Sequence, residues 1–458
     1  MRWPRCLEPV ATGSCPAAVR SLLPRSLLRP LCFHRLLGLL GSICLLCWSL
    51  PLTAATLRVP TDYATISDAI EVAVLFDTVL VAPGVYAGAG NTGVDLRGRE
   101  IVVRSAAGPA QTVIDCAGSG RAFVISQGEQ LAVLEGFTIR NGNVGTGLGG
   151  GVLVIESSPT IRQCAFESCL AERGGGFAAL GTTGHERQVT LEDCTFELCV
   201  AIQGGAVWGE SCRLDVDRCG FARNSAAYGS GLGGITIELT VEDALFDDNG
   251  GGSFGGGIAI YGSTATLGRC EFVHNDAPSD LGSALLLEDS ETTVDACVFR
   301  ENGDPYRVAA AVDVRAASAT FASCTFYGND GPGIRARGGA ALTLERCILA
   351  DGLDGEAIRC QEGSAVTLTC SDVFGNEGGD WTGCLAGQLG QDGNFAADPR
   401  FCAPAEGDLT LAANSPCVPG AHPGGTACGL IGALDQGCPP VAVESMTWGS
   451  VKARWRSR

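Results

Sequence analysis

The chain is almost without lysine. Lys452 stands alone against thirty arginines, and there are only two methionines and four histidines in 458 residues. The arginine bias reads as codon composition and carries no chemistry. Aromatic residues make up 6% of the chain. No apolar run reaches the roughly 20 residues that span a bilayer, and no long stretch has helical periodicity. Past residue 55 there is no Cys-x-x-Cys and no Cys/His cluster, so a zinc site of the usual spacing is excluded. The three histidines of the body, His185, His274 and His422, are scattered and have no nucleophile beside them. A Ser/His/Asp arrangement therefore has no support.

What is present is repetition. A unit of the form Cys-x-Phe-x-x-Asn, then a glycine run and an apolar triplet, recurs from Cys164 to Cys370. Its central apolar residue falls at Phe166, Phe196, Phe221, Phe246, Phe272, Phe299, Phe326 and Leu349, in steps of 23 to 30 residues. A drifting period of this size marks coils of one plan with loops of variable length, which is the pattern of a solenoid.

One coil shows the plan. Leu239-Thr240-Val241 alternates, Ala244-Leu245-Phe246 follows a polar corner, and Gly255-Gly256-Gly257 leads into Ile258-Ala259-Ile260. Each turn thus holds three short strands and three corners. Ordering about 26 residues costs roughly 40 kcal/mol, while four or five inward side chains return about 1.5–3 kcal/mol each. No coil is stable alone, so neighbours must close the core. The expected fold is all-β: a right-handed parallel β-helix of eleven or twelve three-strand coils with an N-terminal capping helix. That helix is expected over Thr65 to Phe76, with a capping box at Thr65 and Asp68 and an apolar face of Ile66, Ala69, Ile70, Ala73 and Val74.

Stacking aligns equivalent residues. Asn224, Asn249, Asn275, Asn302 and Asn329 are expected to form a structural ladder, each at a left-handed corner and bonded to the next. Asp193, Arg218, Asp243 and Arg269 alternate in sign along one corner and are placed to pair. The column Cys164, Cys194, Cys219, Cys270, Cys297, Cys324 and Cys347 reads as buried thiols filling the core. The disulfide candidates are Cys384 with Cys402, and Cys417 with Cys428 or Cys438, in a Pro/Gly-rich stretch with little core of its own.

Four segments follow. Residues 1–55 have six arginines and one glutamate, an apolar run from Leu36 to Leu50 and then Thr53, Ala54 and Ala55. This is the layout of a signal peptide cut after Ala55. Residues 56–380 form the β-helix with its cap, 381–440 a Cys/Pro/Gly-rich capping region, and 441–458 a basic tail with Trp448 and Trp455. The net charge of −19 becomes −24 without the leader. Such a body repels nucleic acid and anionic membrane. No integral membrane span is expected after signal cleavage.

The repeats resemble a known family. Phe221–Asn224, Phe246–Asn249, Phe272–Asn275, Phe299–Asn302 and Phe326–Asn329 fit F-x-x-N, and Gly204-Gly205-Ala206-Val207 fits G-G-A-[ILV]. This pair of motifs resembles the polymorphic outer-membrane protein repeats. The opening from Thr56 to Tyr86 is similar to the entry coil of pectin-lyase-like right-handed β-helices. The resemblance implies an exported protein of the bacterial surface or medium, associated with adhesion. No run of strands long enough for a membrane barrel follows the repeats, so self-translocation is not implied.

The leading functional reading is adhesion or glycan binding without catalysis, with an extracellular glycan or cell-surface partner. Trp208, Tyr228, Phe254 and Tyr261 are the glycan-binding candidates, as a strip on which sugars stack. The alternative is a polysaccharide lyase or glycoside hydrolase. A lyase needs a cationic base, for which Arg335 and Arg337 are the only alternating pair. A hydrolase needs paired carboxylates; Glu242, Asp243, Asp247 and Asp248, and Glu288, Asp289 and Glu291, are dense but fall on corners. No catalytic residue and no metal ligand is assigned, and no cofactor is expected beyond Ca²⁺ at the acidic corners.

Overall fold

In the computed structural model, residues 54–182, 187–251, 254–277, 281–303 and 309–441 are described. The leader through residue 53 and the basic tail from residue 442 lie outside them. The chain is a right-handed parallel β-solenoid. It passes in turn through three long parallel sheets. Sheet 1 has 13 strands, from Thr56–Val59 to Ala365–Thr369. Sheet 2 has 12, from Gly84–Ala87 to Asp372–Phe374, and sheet 3 has 11, from Val94–Asp95 to Ile358–Cys360. The coils outnumber the eleven or twelve expected because the first of them carry Val, Leu and Ile where later coils carry the Cys-Phe signature. Among the described residues no helix is long and apolar enough to cross a membrane.

The phenylalanine column lies in register on sheet 2, from Phe166 over Phe196 to Phe326 and Leu349. Its rings stack nearly parallel, with centroids 4.5 Å apart for Phe221 and Phe246 and 4.9 Å for Phe246 and Phe272. That spacing is the strand separation of about 4.8 Å, so ring stacking and backbone pairing share one period. Every ring of the column is buried.

The asparagine ladder occupies the corner between sheets 2 and 3. Each amide Nδ2 donates to the oxygen of the next Asn, at 2.9 to 3.1 Å, and to a backbone carbonyl of the preceding coil, as from Asn249 to Phe221. One detail differs from expectation. The left-handed residue is the one before each asparagine, namely Arg223, Asp248, His274, Glu301 and Gly328, with φ between 50° and 59°. The twist at that position turns the Asn inward, where its amide satisfies backbone groups that the corner leaves open. Outside, Arg218 bonds Asp193 at 2.8 Å and Arg269 bonds Asp243 at 2.7 Å.

The glycine pair of each repeat has a steric cause. Gly204 has φ 62°, and a Cβ there would sit 2.3 Å from the Val207 carbonyl oxygen; one on Gly205 would sit 2.3 Å from that of Ser230. The chain doubles back tightly before entering sheet 3, and only glycine fits.

At the N-terminus a helix, α1 (Ile66–Val72), carries the expected capping box: Thr65 and Asp68 exchange side-chain and backbone bonds at 3.1 and 3.2 Å. Ile66, Ala69, Ile70 and Ala73 enter the main core, but Val74 is exposed, because the helix has ended by then. At the other end a three-stranded sheet (Phe401–Ala403, Asp408–Ala412, Gln436–Cys438) lies outside the rod. Its Phe401, Leu409 and Leu411 pack with Ile431 on Val298, Ile348 and Ala350 of sheet 2.

The disulfides differ from those expected. The pairs are Cys360–Cys384, Cys370–Cys428 and Cys402–Cys438, and Cys417 is a buried free thiol. Two of the bonds reach back to cysteines of the last coils, since the segment after the rod folds over its final rungs. Clustering in sequence concealed this. The column from Cys164 to Cys347 consists of buried free thiols.

Candidate functional site

Each coil presents three outer faces, of which that of sheet 3 is covered and that of sheet 2 is covered only over the last coils. On sheet 3 the outward column Leu153, Ala178, Trp208, Ala259, Leu286 and Asp313 is 7% exposed or less. The cover comes from the doubled-back turns, whose residues Leu148, Arg173, Gln203, Tyr228 and Phe254 align coil on coil. Trp208 is accordingly a packing residue, and its assignment to a sugar-stacking strip is corrected. It is fully buried, with the Arg173 guanidinium 5.9 Å from its ring and the Tyr228 ring edge-on at 6.3 Å.

Of the other three aromatics, Tyr228 is half-buried, and burial pushes its hydroxyl up from the usual tyrosine range. Phe254 lies 6.4 Å from it and is 40% exposed, and Tyr261 is 43% exposed. The Asp289 carboxylate beside Tyr261 raises that hydroxyl as well. Tyr228 and Phe254 thus form a ring pair at the edge of sheet 3, and Phe254 and Tyr261 both reach solvent.

Sheet 2 is covered over its last coils by the C-terminal segment. Sheet 1 is open. Down its outer surface runs a row in strand register: Thr240, Thr266, Thr293, Thr320, Thr343 and Thr367. All but Thr240, which is half-buried, are exposed, and none of their side-chain hydroxyls holds a protein hydrogen bond among the described residues. The row floors two hollows of 310 and 220 Å³ that share Glu291 and Thr293. Ser318, Ala341 and Ala365 keep one side of the larger hollow low. The outward rims carry Glu238, Glu242, Glu291, Asp295 and Glu345 and no arginine. Arg213 pairs with Glu238 at 3.3 Å and Arg269 with Glu242 at 2.9 Å. Glu291, which lines both hollows, and Asp295, at the other end of its strand, have no ion-pair partner among the described residues.

This row was legible but unread. Each threonine is the middle outward residue of a strand whose two neighbours face the core, and in each case it stands at one position of the repeat. Chemically, the trough offers hydroxyls that both donate and accept, and carboxylates that accept. That set matches a chain rich in hydroxyl groups and disfavours an anionic one.

The remaining candidates are occupied by the fold. Arg335 donates from Nε to Asp313 at 2.7 Å, and Arg337 does so at 3.0 Å. Asp313 is fully buried and Arg335 is 6% exposed. Burial pushes the Asp313 carboxyl up, against the opposing pull of the two arginines. A guanidinium held in this way is poorly placed to take a proton from a substrate. Asp247 pairs with His274 at 3.3 Å, His274 also reaches Glu301 at 3.0 Å, and Glu288 pairs with Arg315 at 3.0 Å. Asp248 stays exposed at its corner. His422 bonds the Gly393 carbonyl at 2.7 Å, and His185 lies outside the described residues. Among the described residues no cluster of three His, Cys, Asp or Glu side chains is arranged to hold a metal ion.

The family model for the right-handed β-helix region matches residues 121–279 and 252–394. No curated protein matches the chain. Among solved structures, the pectate lyase Pel9A aligns at 11% identity over 84% of this chain and 97% of its own, with a TM-score of 0.44. The gp42 tailspike of Acinetobacter phage vb_AbaP_AS12 aligns at 10% identity over 71% of this chain and 63% of its own, with a TM-score of 0.41. The PL6 family alginate lyase AlyGC aligns at 12% over 87% of this chain and 60% of its own, with a TM-score of 0.41. The chain spans less than two thirds of the length of the tailspike and of the alginate lyase. These are likenesses of fold.

Proposed function

The chain belongs to the right-handed β-helix family, and we propose that it is an exported protein that binds a neutral glycan, at the cell surface or in the medium, without altering it. The observation that carries this reading is the open threonine-floored trough on sheet 1. Its threonine hydroxyls have no protein partners among the described residues, and Glu291 in its lining and Asp295 on the same strand, without ion-pair partners among them, suit the O–H donors of a sugar. Phe254 and Tyr261, both exposed, are a second contact surface. Stacking on aromatic faces is apolar and tolerant of sugar identity. A body of charge −24 with an acidic trough selects against polyuronates and nucleic acid.

A glycan array probed with the exported chain tests the proposal. Retention on neutral glycans, weak or absent on polyuronates, is the expected result. No retention on any glycan overturns it. Release of an unsaturated, ultraviolet-absorbing product from a polyuronate would replace it with the lyase alternative.

A further inference from the structure

Asp77 is 4% exposed, and each of its carboxylate oxygens takes one backbone N–H: Oδ1 from Ala55 at 2.7 Å and Oδ2 from Val74 at 2.9 Å. No side-chain cation answers it among the described residues. Arg58 pairs with Asp62 and Arg97 with Glu71. Arg99 turns to the carbonyls of Ala73 and Glu71. Glu100, just before the adjoining strand, directs its own carboxylate to the amides of Gln130 and Leu131. A carboxylate buried without a counter-charge is costly, and the nitrogen nearest to this one belongs to Ala55.

Ala55 is also where the sequence places the end of a leader. It is exposed, yet tied into the first rung: its carbonyl accepts the Thr78 N–H at 2.8 Å. A cut after Ala55 would remove both of these bonds. We infer that the exported chain is cut on the N-terminal side of Ala55, so that the new α-ammonium of Ala55 becomes the counter-ion of Asp77. Hydrolysis of the peptide bond between Ala54 and Ala55 by a leader-removing protease adds one water, leaving a carboxylate on Ala54 and an ammonium on Ala55. That ammonium takes the place of a neutral N–H and makes the bond to Asp77 charge-assisted, roughly twice as strong as a neutral one. The same carboxylate holds Val74. Phe76 in that loop has φ 68° and donates its N–H to Glu100 at 2.8 Å. Removal of the leader would thereby lock the Ala73–Asp77 loop at the entrance of the rod.

The inference rests on the export reading, and the experiment separates the two. The full chain is expressed in an exporting bacterial host, and the recovered protein is sequenced from its N-terminus. A sequence beginning Ala-Thr-Leu-Arg-Val is expected. A start at Thr56 overturns the inference and leaves export standing; retention of the leader in unexported protein overturns both. Amine acetylation supplies the second readout, since Lys452 is the only other amine of the mature chain. In the native protein Ala55 should react more slowly than Lys452. Once it is acetylated, the melting temperature should drop and lose the part of its pH dependence that Ala55 supplies, leaving that of Asp372. A free α-amine titrates near 7.7–8.0. Pairing raises that value, so the stabilisation is full below it and is lost as pH rises through the higher folded value. Asp77→Asn should abolish this pH response. Acetylation that leaves the melting temperature and its pH profile unchanged overturns the ion pair without any need for the variant to fold.

Discussion

Asn249 donates its side-chain amide to the Oδ1 of Asn275, 3.0 Å away, and the same oxygen accepts the backbone N–H of Asn249 at 3.2 Å. One side chain thus closes two donors of the preceding corner, and its own amide passes on to Asn302 and to the Phe246 carbonyl. Asn275→Ala strips partners from groups that stay buried. The expected loss is about 3 kcal/mol of unfolding free energy, read from the midpoint of urea denaturation.

The phenylalanine column predicts a different loss. Phe246 is buried between rings at 4.5 and 4.9 Å. Phe246→Ala should cost about 3–5 kcal/mol, and Phe246→Leu distinctly less. Both should leave the circular dichroism of the sheets unchanged below the transition. Equal effects of the two substitutions would mean that bulk restores nothing and that the loss is all in the stacked ring.

Thiol counting checks the cysteine assignment. The structure holds twelve buried free thiols and three disulfides. Together these account for every cysteine after residue 55. Alkylation of the native protein expressed from residue 55 onward should label none, and alkylation after unfolding without reductant should label twelve, measured by intact mass. Labelling of Cys417 in the native state would show that the C-terminal segment opens.

Asp372 supplies a pH dependence. Its Oδ1 accepts the Ala397 N–H at 3.0 Å and its Oδ2 faces the Cys417 thiol at 3.4 Å, between the last rung and the C-terminal segment. Burial pushes its carboxyl up to about 8, and Asp380 and Asp398 add to this. The unfolded value is about 3.9. The folded state therefore holds a proton that the unfolded state has lost. Stability from this group is full below about pH 4, falls as pH rises, and levels off above about pH 8. Asp372→Asn should flatten that slope in melting temperature between pH 5 and 9.

Much of the fold was legible because stacking forces one residue type into one position. Phe221, Phe246 and Phe272 announce a column, and Asn249 and Asn275 announce the corner beside it. The left-handed residue before each asparagine was not readable, since Arg, Asp, His, Glu and Gly all occupy it and no single residue type marks the position. The disulfides were misread because Cys360 and Cys370 look like further members of the core column. Only the fold-back of the chain brings Cys384 and Cys428 to them. Trp208 misled for a related reason. Strand alternation points it outward, correctly, but sequence alone does not show that a turn from the same repeat lies over it. The threonine row was visible at its spacing, but each threonine reads locally as an ordinary strand residue.

The central claim, that the open row on sheet 1 holds a neutral glycan chain, is tested most directly by titrating a neutral oligosaccharide selected on the array into wild-type protein and into the double substitution Thr293→Val/Thr320→Val. Valine keeps the strand and the shape and removes only the hydroxyls. The account predicts at least a tenfold weaker affinity with an unchanged melting temperature, and a smaller loss for Phe254→Ala. Undiminished affinity in the valine variant would contradict it.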